Sequence, residues 1–251
     1  MIDDYINKII CGDCLEVMKG MPDKCVDLIV TDPPYGMTAC EWDIAIPLKA
    51  MWRQFKRIIK DNGAITMTAV QPFTSKLIMS NYNMFRYELI YEKSQSTRFL
   101  DVKKRPLNSH ENILIYYKNQ PTYNPQKTYG HEPVNHGTRR ANHKIRIYGK
   151  DRTDYIKSFG GSTERYPRSV LKFVLEDRLN SIHPTRKPVK LCQWLISTYT
   201  NPADIIFDPF SGSGTTAVAA KELNRKYICI ELDPKYCKIA EERLRQEVLG
   251  I

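Results

Sequence analysis

The chain has 251 residues, of which 42% are hydrophobic and 26% are charged, and its formal net charge is +10. This length and composition are ordinary for one large α/β domain, or for one domain that carries an insertion. No run of about 18 apolar residues is present, and the first ten residues lack the basic stretch and apolar run of a signal peptide. A cytoplasmic protein without a membrane span is therefore expected.

The seven cysteines are scattered along the chain. An odd, scattered set argues against a disulfide framework. Cys11 and Cys14 have the spacing of a redox or metal-binding pair, but Cys25 and Cys40 are not spaced as the second pair of a structural zinc site. Buried thiols are the favoured interpretation and no metal is expected; metal or redox chemistry at the first pair is the alternative.

Residues 1–118 alternate between strand-like and helix-like patterns. Apolar residues at helical spacing predict a helix over 48–59, for which Asp61-Asn62-Gly63 supplies the stop signal, and a short helix over 73–79. Strands interleaved with helices predict a mostly parallel sheet that is covered on both faces. The predicted strands are residues 8–11, 26–31, 64–70, 85–91 and 113–117.

Residues 119–182 lose this rhythm, and the sequence predicts a basic insertion or small subdomain there. The stretch 119–187 carries 14 Lys or Arg residues against six Asp or Glu residues. Cations mixed with aromatic rings suit phosphate contacts and base stacking, which favours a nucleic-acid partner; a solvated basic face is the alternative. The aromatic residues are Tyr123, Tyr129, Tyr148, Tyr155, Phe159 and Tyr166.

Residues 183–251 are strongly patterned, with a predicted strand over 204–207, a glycine turn, a helix over 214–223 and a strand over 227–231. Gly212 and Gly214 allow a sharp turn and a close approach to a ligand. Glu231 stands near the offset of an acid that binds ribose hydroxyls. The unit predicts a nucleoside-containing ligand, either NAD or FAD or else S-adenosylmethionine; a turn that needs small residues for packing is the alternative.

The predicted strand over residues 26–31 ends at Asp32-Pro33-Pro34-Tyr35. Ligands in open α/β sheets bind at the carboxyl ends of strands. Two prolines make the turn rigid, so the Asp32 carboxylate and the Pro33 carbonyl can accept both hydrogens of one –NH₂ group. Tyr35 offers a flat face on which a base can stack. A plain strand-end turn is the alternative interpretation of this motif.

Asp32–Tyr35 together with Phe210-x-Gly212-x-Gly214 resembles the DNA amino-methyltransferases that use S-adenosylmethionine. The order of the two motifs, with a basic segment between them, resembles the circularly permuted β group of these enzymes. Three further segments are similar to family segments: Cys11-Gly12-Asp13-Cys14, Asn108–Leu114 and His183-Pro184-Thr185-x-Lys187-Pro188. The resemblance covers about 190 residues, all except residues 119–182.

The resemblance implies a Rossmann-like fold with a mostly parallel seven-stranded sheet, an antiparallel hairpin and helices on both faces. Residues 1–118 and 183–251 would form the catalytic domain, and 119–182 a target-recognition insertion. It implies catalytic roles for Asp32, Pro33, Pro34 and Tyr35. Cofactor contacts are implied for Asp13, Cys14, Lys187, Asp208, Pro209, Phe210, Ser211, Gly212, Ser213, Gly214, Thr215, Thr216, Glu231 and Leu232. The candidates for DNA contacts are Arg139, Arg140, Lys144, Arg146, Lys150 and Arg152.

The implied reaction is direct methyl transfer from S-adenosylmethionine to the N6 amine of a flipped adenine, which leaves S-adenosylhomocysteine. Aspartate at the first position of the motif resembles N6-adenine enzymes, whereas many N4-cytosine enzymes carry serine there. An N4-cytosine enzyme, an RNA amino-methyltransferase, an NAD-dependent oxidoreductase and an inactive nucleic-acid-binding relative are the alternatives. DNA is the expected partner, and a homodimer or a cognate restriction endonuclease is compatible with the resemblance.

Overall fold

The computed structural model describes residues 1–36, 46–133, 161–174 and 186–246. The strands there are β1 (Lys8–Cys11), β2 (Val26–Thr31), β3 (Ile59–Ala69), β4 (Phe85–Thr97), β5 (Asn108–Tyr116), β6 (Val170–Phe173), β7 (Ile205–Asp208) and β8 (Lys226–Glu231). The α-helices are α1 (Cys14–Gly20), α2 (Leu48–Ile58), α3 (Phe73–Ser80), α4 (Val189–Tyr199), α5 (Thr215–Glu222) and α6 (Pro234–Gln246). No helix in these four ranges has the length and apolar character needed to cross a membrane.

The chain divides into two compact units. The first comprises Met1–Asn124 and Arg168–Ile251 and contains all the strands and helices named above. The second is Pro125–Pro167, in which Thr128 and Arg165 form an isolated antiparallel bridge.

The strands form one sheet in the order β1-β8-β7-β2-β3-β5-β4-β6. The first five strands in this order, β1, β8, β7, β2 and β3, are parallel to one another. Strand β5 is antiparallel to both its neighbours, and β6 is parallel to β4. The chain leaves β2 toward β3 on one side and leaves β7 toward β8 on the other. The carboxyl ends of β2 and β7 therefore lie side by side at the switch point, where open α/β sheets bind ligands.

Both faces of the sheet are apolar, because successive buried side chains of its central strands point to opposite faces. In β2, Ile29 belongs to one core cluster, whereas Leu28 and Val30 belong to the other. Burying each such side chain contributes about 1.5–3 kcal/mol, so the two layers hold the strand ends firmly. The Ile29 cluster includes Met18 of α1, Phe55 of α2 and Leu77 of α3, and the opposite cluster includes Leu195 of α4, Val218 of α5 and Leu244 of α6.

Helix α2 ends at Ile58, and the next residue, Ile59, is already paired in β3. The Ile58 carbonyl accepts a hydrogen bond from the Cys25 N–H at 2.8 Å, so a neighbouring segment ends the helix. The prediction that residues 61–63 stop the helix is therefore wrong. Gly63 instead permits a close approach of two strands, since a Cβ there would lie 2.8 Å from the Asp27 carbonyl oxygen.

The sheet has one strand more than the seven expected. The additional strand, β6, lies inside the range 119–182 that the sequence assigns to an insertion, and it pairs with β4 along Ile90–Lys93. Its four residues give too short a pattern to predict a strand, but Leu171 is buried against the sheet. Strands β4 and β5 are also longer than predicted, because each continues beyond the apolar run into polar residues.

The glycine turn after β7 packs tightly against α6. Gly214 has a φ of +79°, and a Cβ there would lie 2.7 Å from the Ala240 Cβ and 3.2 Å from the Ala240 Cα. The turn therefore needs glycine both for its backbone conformation and for the space beside the helix.

Gly214→Ala should lower the free energy of unfolding by about 2–4 kcal/mol, from a left-handed backbone and from a close contact with Ala240. Ala240→Gly removes the nearest atom of that contact. In a double-mutant cycle followed by urea unfolding, Ala240→Gly should recover about 1 kcal/mol or more of the Gly214→Ala cost. If the effects of the two single substitutions on the free energy of unfolding were strictly additive in the double variant, the contact between residues 214 and 240 would be contradicted.

Candidate active site

The ends of the parallel strands open into one cavity of about 840 Å³, which lies in the usual size range of about 300–1,000 Å³ for small-molecule sites. Residues that follow β1, β2, β7 and β8 line it, as does the second half of β4. The cavity thus joins the Asp-Pro-Pro-Tyr turn to the glycine turn, although the two are far apart in the sequence.

The Asp32 carboxylate lines this cavity and accepts three hydrogen bonds. Its Oδ1 accepts hydrogen bonds from the Tyr35 hydroxyl at 2.5 Å and from the Thr68 hydroxyl. Its Oδ2 accepts a hydrogen bond from Lys187 Nζ at 2.5 Å. The two hydroxyls use both lone pairs of Oδ1, so Oδ2 is the oxygen that can accept a further donor.

Tyr35 is fixed at both ends. Its ring packs against Phe73 with centroids 5.0 Å apart, and its hydroxyl donates to Asp32. Burial and the Asp32 charge raise the pKa of Tyr35, which keeps the hydroxyl protonated as a donor. The same residue lines the cavity, so a ring surface remains available beside the carboxylate.

Lys187 connects Asp32 to a second carboxylate, Glu111, whose Oε2 lies 3.1 Å from the ammonium nitrogen. Glu111 in turn lies 3.4 Å from Lys93. Burial alone would lower the pKa of Lys187, but the charges of Asp32 and Glu111 outweigh burial and raise it well above its usual value. For Asp32, burial would raise the pKa, but the ammonium and the hydrogen bonds lower it. Both partners are therefore ionised at neutral pH.

Asp208 ends β7 and holds the switch point together. Its carboxylate accepts hydrogen bonds from the hydroxyls of Thr31 on β2 at 2.8 Å and Thr216 on α5 at 2.6 Å, and from the Phe210 N–H at 3.1 Å. Burial raises the pKa of Asp208 to about 6, although these hydrogen bonds oppose the shift. The residue therefore fixes the glycine turn against the Asp-Pro-Pro-Tyr strand.

Glu231 fixes the glycine turn from the other side. Its two carboxylate oxygens accept hydrogen bonds from the N–H groups of Gly212 at 2.7 Å and Asp233 at 2.9 Å. The Arg243 guanidinium donates to the Ser213 carbonyl at 2.5 Å. Ser211 lines the cavity, and its buried hydroxyl has no hydrogen-bond partner among the described residues. A buried polar group of this kind is satisfied when a ligand supplies the partner.

The Asp13 carboxylate caps α1 by accepting the Glu16 N–H at 3.0 Å. Cys14 is buried beside it, and burial followed by the Asp13 charge raises the pKa of its thiol to about 12. Such a thiol stays protonated and is a poor nucleophile or metal ligand. Among the described residues, no group of three or more His, Cys, Asp or Glu residues is placed to hold a metal.

All the predicted catalytic residues and all but one of the predicted cofactor contacts line this cavity. The exception is Gly214, which faces Ala240 instead. Lys187 lies against Asp32 and Glu111. Residues 183–185 lie outside the described residues. So do the six predicted DNA contacts, which are Arg139, Arg140, Lys144, Arg146, Lys150 and Arg152.

Sequence reasoning missed the two residues that complete the charge cluster, Glu111 and Lys93, and the hydroxyl donor Thr68. Glu111 belongs to the segment Asn108–Leu114 that drew attention through the resemblance. The signal for Thr68 was a polar residue near the carboxyl end of a predicted strand, the edge at which ligands bind.

Comparisons with known proteins identify the family. The model of the N6/N4 methyltransferase family, described as DNA methylase, matches residues 26–242. The type II methyltransferase M.HinfI of Haemophilus influenzae is 28% identical over 277 residues, which cover 98% of this chain and 70% of the relative. The type II methyltransferase M.BglII of Bacillus subtilis is 27% identical, over 97% of this chain and 70% of the relative.

Solved structures confirm the predicted fold class. The M1.HpyAVI–SAM complex superposes with a TM-score of 0.64 at 24% identity, over 94% of this chain and 98% of that chain. PvuII DNA methyltransferase, described as cytosine-N4-specific, gives a TM-score of 0.67 at 15% identity, over 95% and 88%. The sheet, the cavity at its switch point and the extent of the family match lead to one conclusion: this chain belongs to the N6/N4 family of DNA methylases.

Proposed function

We propose that the chain transfers the methyl group of S-adenosylmethionine to the N6 amine of an adenine flipped out of duplex DNA. One observation carries the proposal: the Asp32 carboxylate, paired with the Lys187 ammonium, lies in the same cavity as the glycine turn and Glu231. A hydrogen-bond acceptor for an amine and a site for a nucleoside-containing cofactor are thereby brought within one enclosure. Family membership supports the reaction class.

The cofactor end of the cavity fits S-adenosylmethionine. Each Glu231 oxygen has a further lone pair that can accept a ribose hydroxyl, and the Ser211 hydroxyl lacks a partner among the described residues. When bound, S-adenosylmethionine supplies an electrophilic methyl group on a sulfonium. The name of one fold neighbour, the M1.HpyAVI–SAM complex, supports the same cofactor.

Asp32 would act on the amine as an acceptor. An exocyclic amine conjugated with its ring is a poor nucleophile; accepting its hydrogens at Asp32 Oδ2 and the Pro33 carbonyl localises the nitrogen lone pair. The same carboxylate stabilises the positive charge that develops on nitrogen during transfer. Lys187 keeps Asp32 ionised, and Tyr35 and Thr68 fix the orientation of the carboxylate. Holding the two reactants in line supplies several kcal/mol of the acceleration.

We propose adenine as the target base because the first residue of the motif is aspartate, which resembles the motif of N6-adenine enzymes. The N4-cytosine alternative has its own support, since a fold neighbour is described as cytosine-N4-specific. Both amines present two hydrogens to the same acceptors, so the geometry at Asp32 suits either base. The identity of the methylated base, adenine or cytosine, therefore has to be measured to decide between the two alternatives.

Duplex DNA is the proposed substrate, and the basic residues in the range 119–182 are proposed as its target-recognition segment. Six of them, Arg139, Arg140, Lys144, Arg146, Lys150 and Arg152, are the candidates for phosphate or base-edge contacts. Both curated relatives are described as type II methyltransferases, which supports a role beside a restriction endonuclease.

Purified protein incubated with S-adenosylmethionine and genomic DNA should produce N6-methyladenine, which mass spectrometry of the digested nucleosides would detect. Asp32→Ala should lower the methylation rate about a hundredfold to a thousandfold or more, because it removes the acceptor of the amine. Calorimetric binding of the cofactor should survive, and Asp61→Ala, which removes an exposed aspartate, should leave the rate unchanged. N4-methylcytosine as the product, or turnover by RNA alone, would contradict the assignment.

Glu231→Ala should raise the dissociation constant of S-adenosylhomocysteine about ten- to hundredfold, because charge-assisted hydrogen bonds to ribose are lost. The carboxylate also supports Gly212 and Asp233, so a second ligand separates the two roles. An analogue without ribose hydroxyls should bind the wild-type chain more weakly, whereas Glu231→Ala should bind both ligands alike. If removing the ribose hydroxyls lowered the binding affinity equally in the wild-type chain and in Glu231→Ala, Glu231 would only support the turn.

Lys187→Met should shift the acidic limb of the kcat/KM profile to higher pH. Without the ammonium, burial raises the pKa of Asp32, so the active carboxylate is protonated at a pH where the wild-type enzyme keeps it ionised. Lys187→Arg should retain the wild-type limb. Glu111→Gln removes a neighbouring negative charge and should not shift the limb upward. A raised dissociation constant for the cofactor with an unchanged pH profile would contradict this role and assign Lys187 to the cofactor.

A further inference from the structure

The loop that joins β4 to β5 carries three exposed apolar side chains beside the active-site cavity. Phe99, Leu100 and Val102 are 65%, 101% and 56% exposed. Phe99 also lines the cavity, so the loop lies where the cavity opens to solvent. Single exposed apolar residues are ordinary, but several neighbours at the opening of a site mark a surface that contacts a partner.

Local hydrogen bonds hold this loop in shape. The N–H of Asp101 donates to the Arg98 carbonyl at 3.0 Å, and the N–H groups of Lys104 and Arg105 donate to the Asp101 carbonyl at 2.8 and 3.1 Å. Arg98 has a φ of +69°, a backbone conformation that residues other than glycine rarely adopt. The loop is thus a built turn, and its apolar side chains point away from the core.

The charge of the loop indicates the kind of partner. Arg98, Lys103, Lys104 and Arg105 give four cations against one anion, Asp101, which lies 3.7 Å from Arg98. Lys103, Lys104 and Arg105 are exposed. Apolar side chains next to several cations match a DNA duplex, in which phosphates flank an apolar stack of bases.

We propose that this loop enters duplex DNA beside the target base, with Leu100 and Phe99 occupying the space that the flipped base leaves. This role rests on the proposed function, because only a base that must reach the cavity leaves such a space. Extruding a base exposes the apolar faces of its neighbours, and an inserted apolar side chain covers them again. Lys103, Lys104 and Arg105 contact the adjacent phosphates.

The test compares two duplexes that contain the recognition site, once sequencing of methylated genomic DNA has defined it. In one duplex the target base is paired; in the other an abasic site replaces its partner, which lowers the cost of extrusion. Leu100→Ala and Phe99→Ala should slow single-turnover methylation of the paired duplex about ten- to hundredfold, in proportion to the apolar surface lost. On the abasic duplex both variants should return to about the wild-type rate.

Met79→Ala removes a similarly exposed apolar side chain outside the cavity and should retain the wild-type rate on both duplexes. Lys103→Ala combined with Lys104→Ala should weaken DNA binding and reduce its salt dependence on both duplexes alike. Equal losses by Leu100→Ala on the two duplexes, or no loss on either, would overturn the role of the loop while leaving the proposed function in place. A wild-type chain that methylates no DNA would overturn both.

Discussion

The hydrogen bond between Thr31 and the Asp208 carboxylate joins the two motifs of this protein at the switch point of the sheet. Thr31 ends the strand that leads into the Asp-Pro-Pro-Tyr turn, and Asp208 begins the glycine turn. The proposed acceptor for the amine and the proposed cofactor site therefore keep a fixed separation. The proposed direct transfer depends on that separation, because a misplacement of about 1 Å can cost about a hundredfold in rate. Burial raises the pKa of Asp208 to about 6, which is the electrostatic cost of this junction.

The electrostatic cost of burying a charged carboxylate explains why the neighbouring Asp32 needs a cation. Asp32 and Asp208 repel each other, and both lose water on burial. Among the described residues, Asp208 is compensated by neutral donors alone, and its pKa is raised. Asp32 has the Lys187 ammonium in addition, and its pKa falls below the usual value. The two acids thus separate by environment into a structural group and the proposed chemical group, in the way that paired carboxylates often divide their roles.

Several parts of this arrangement could be predicted because their causes are local in the sequence. A strand followed by two prolines, and a strand followed by a glycine turn, place Asp32 and Asp208 at the carboxyl edge of any parallel sheet. The ion pair of Lys187 could not be predicted in the same way, because it joins segments 155 residues apart. The start of β3 was missed for a related reason: the N–H of Cys25, outside the helix, ends α2. Strand β6 was missed because four residues carry too little periodicity.

The two proposed ends of the cavity, one for the cofactor and one for the base, have different origins in the chain. Its cofactor end is built largely from short contiguous segments after β7 and β8, where backbone N–H groups and one acid hold the turn. Its proposed base end is assembled from β2, β3, β5 and the segment before α4: Asp32 accepts hydrogen bonds from Thr68 and Lys187, and Glu111 on β5 contacts the same ammonium. Substitutions at the cofactor end should therefore act locally. The proposed amine acceptor should be sensitive to distant changes that shift any one of these elements, because a buried carboxylate that loses its cation loses the charge on which the proposed function depends.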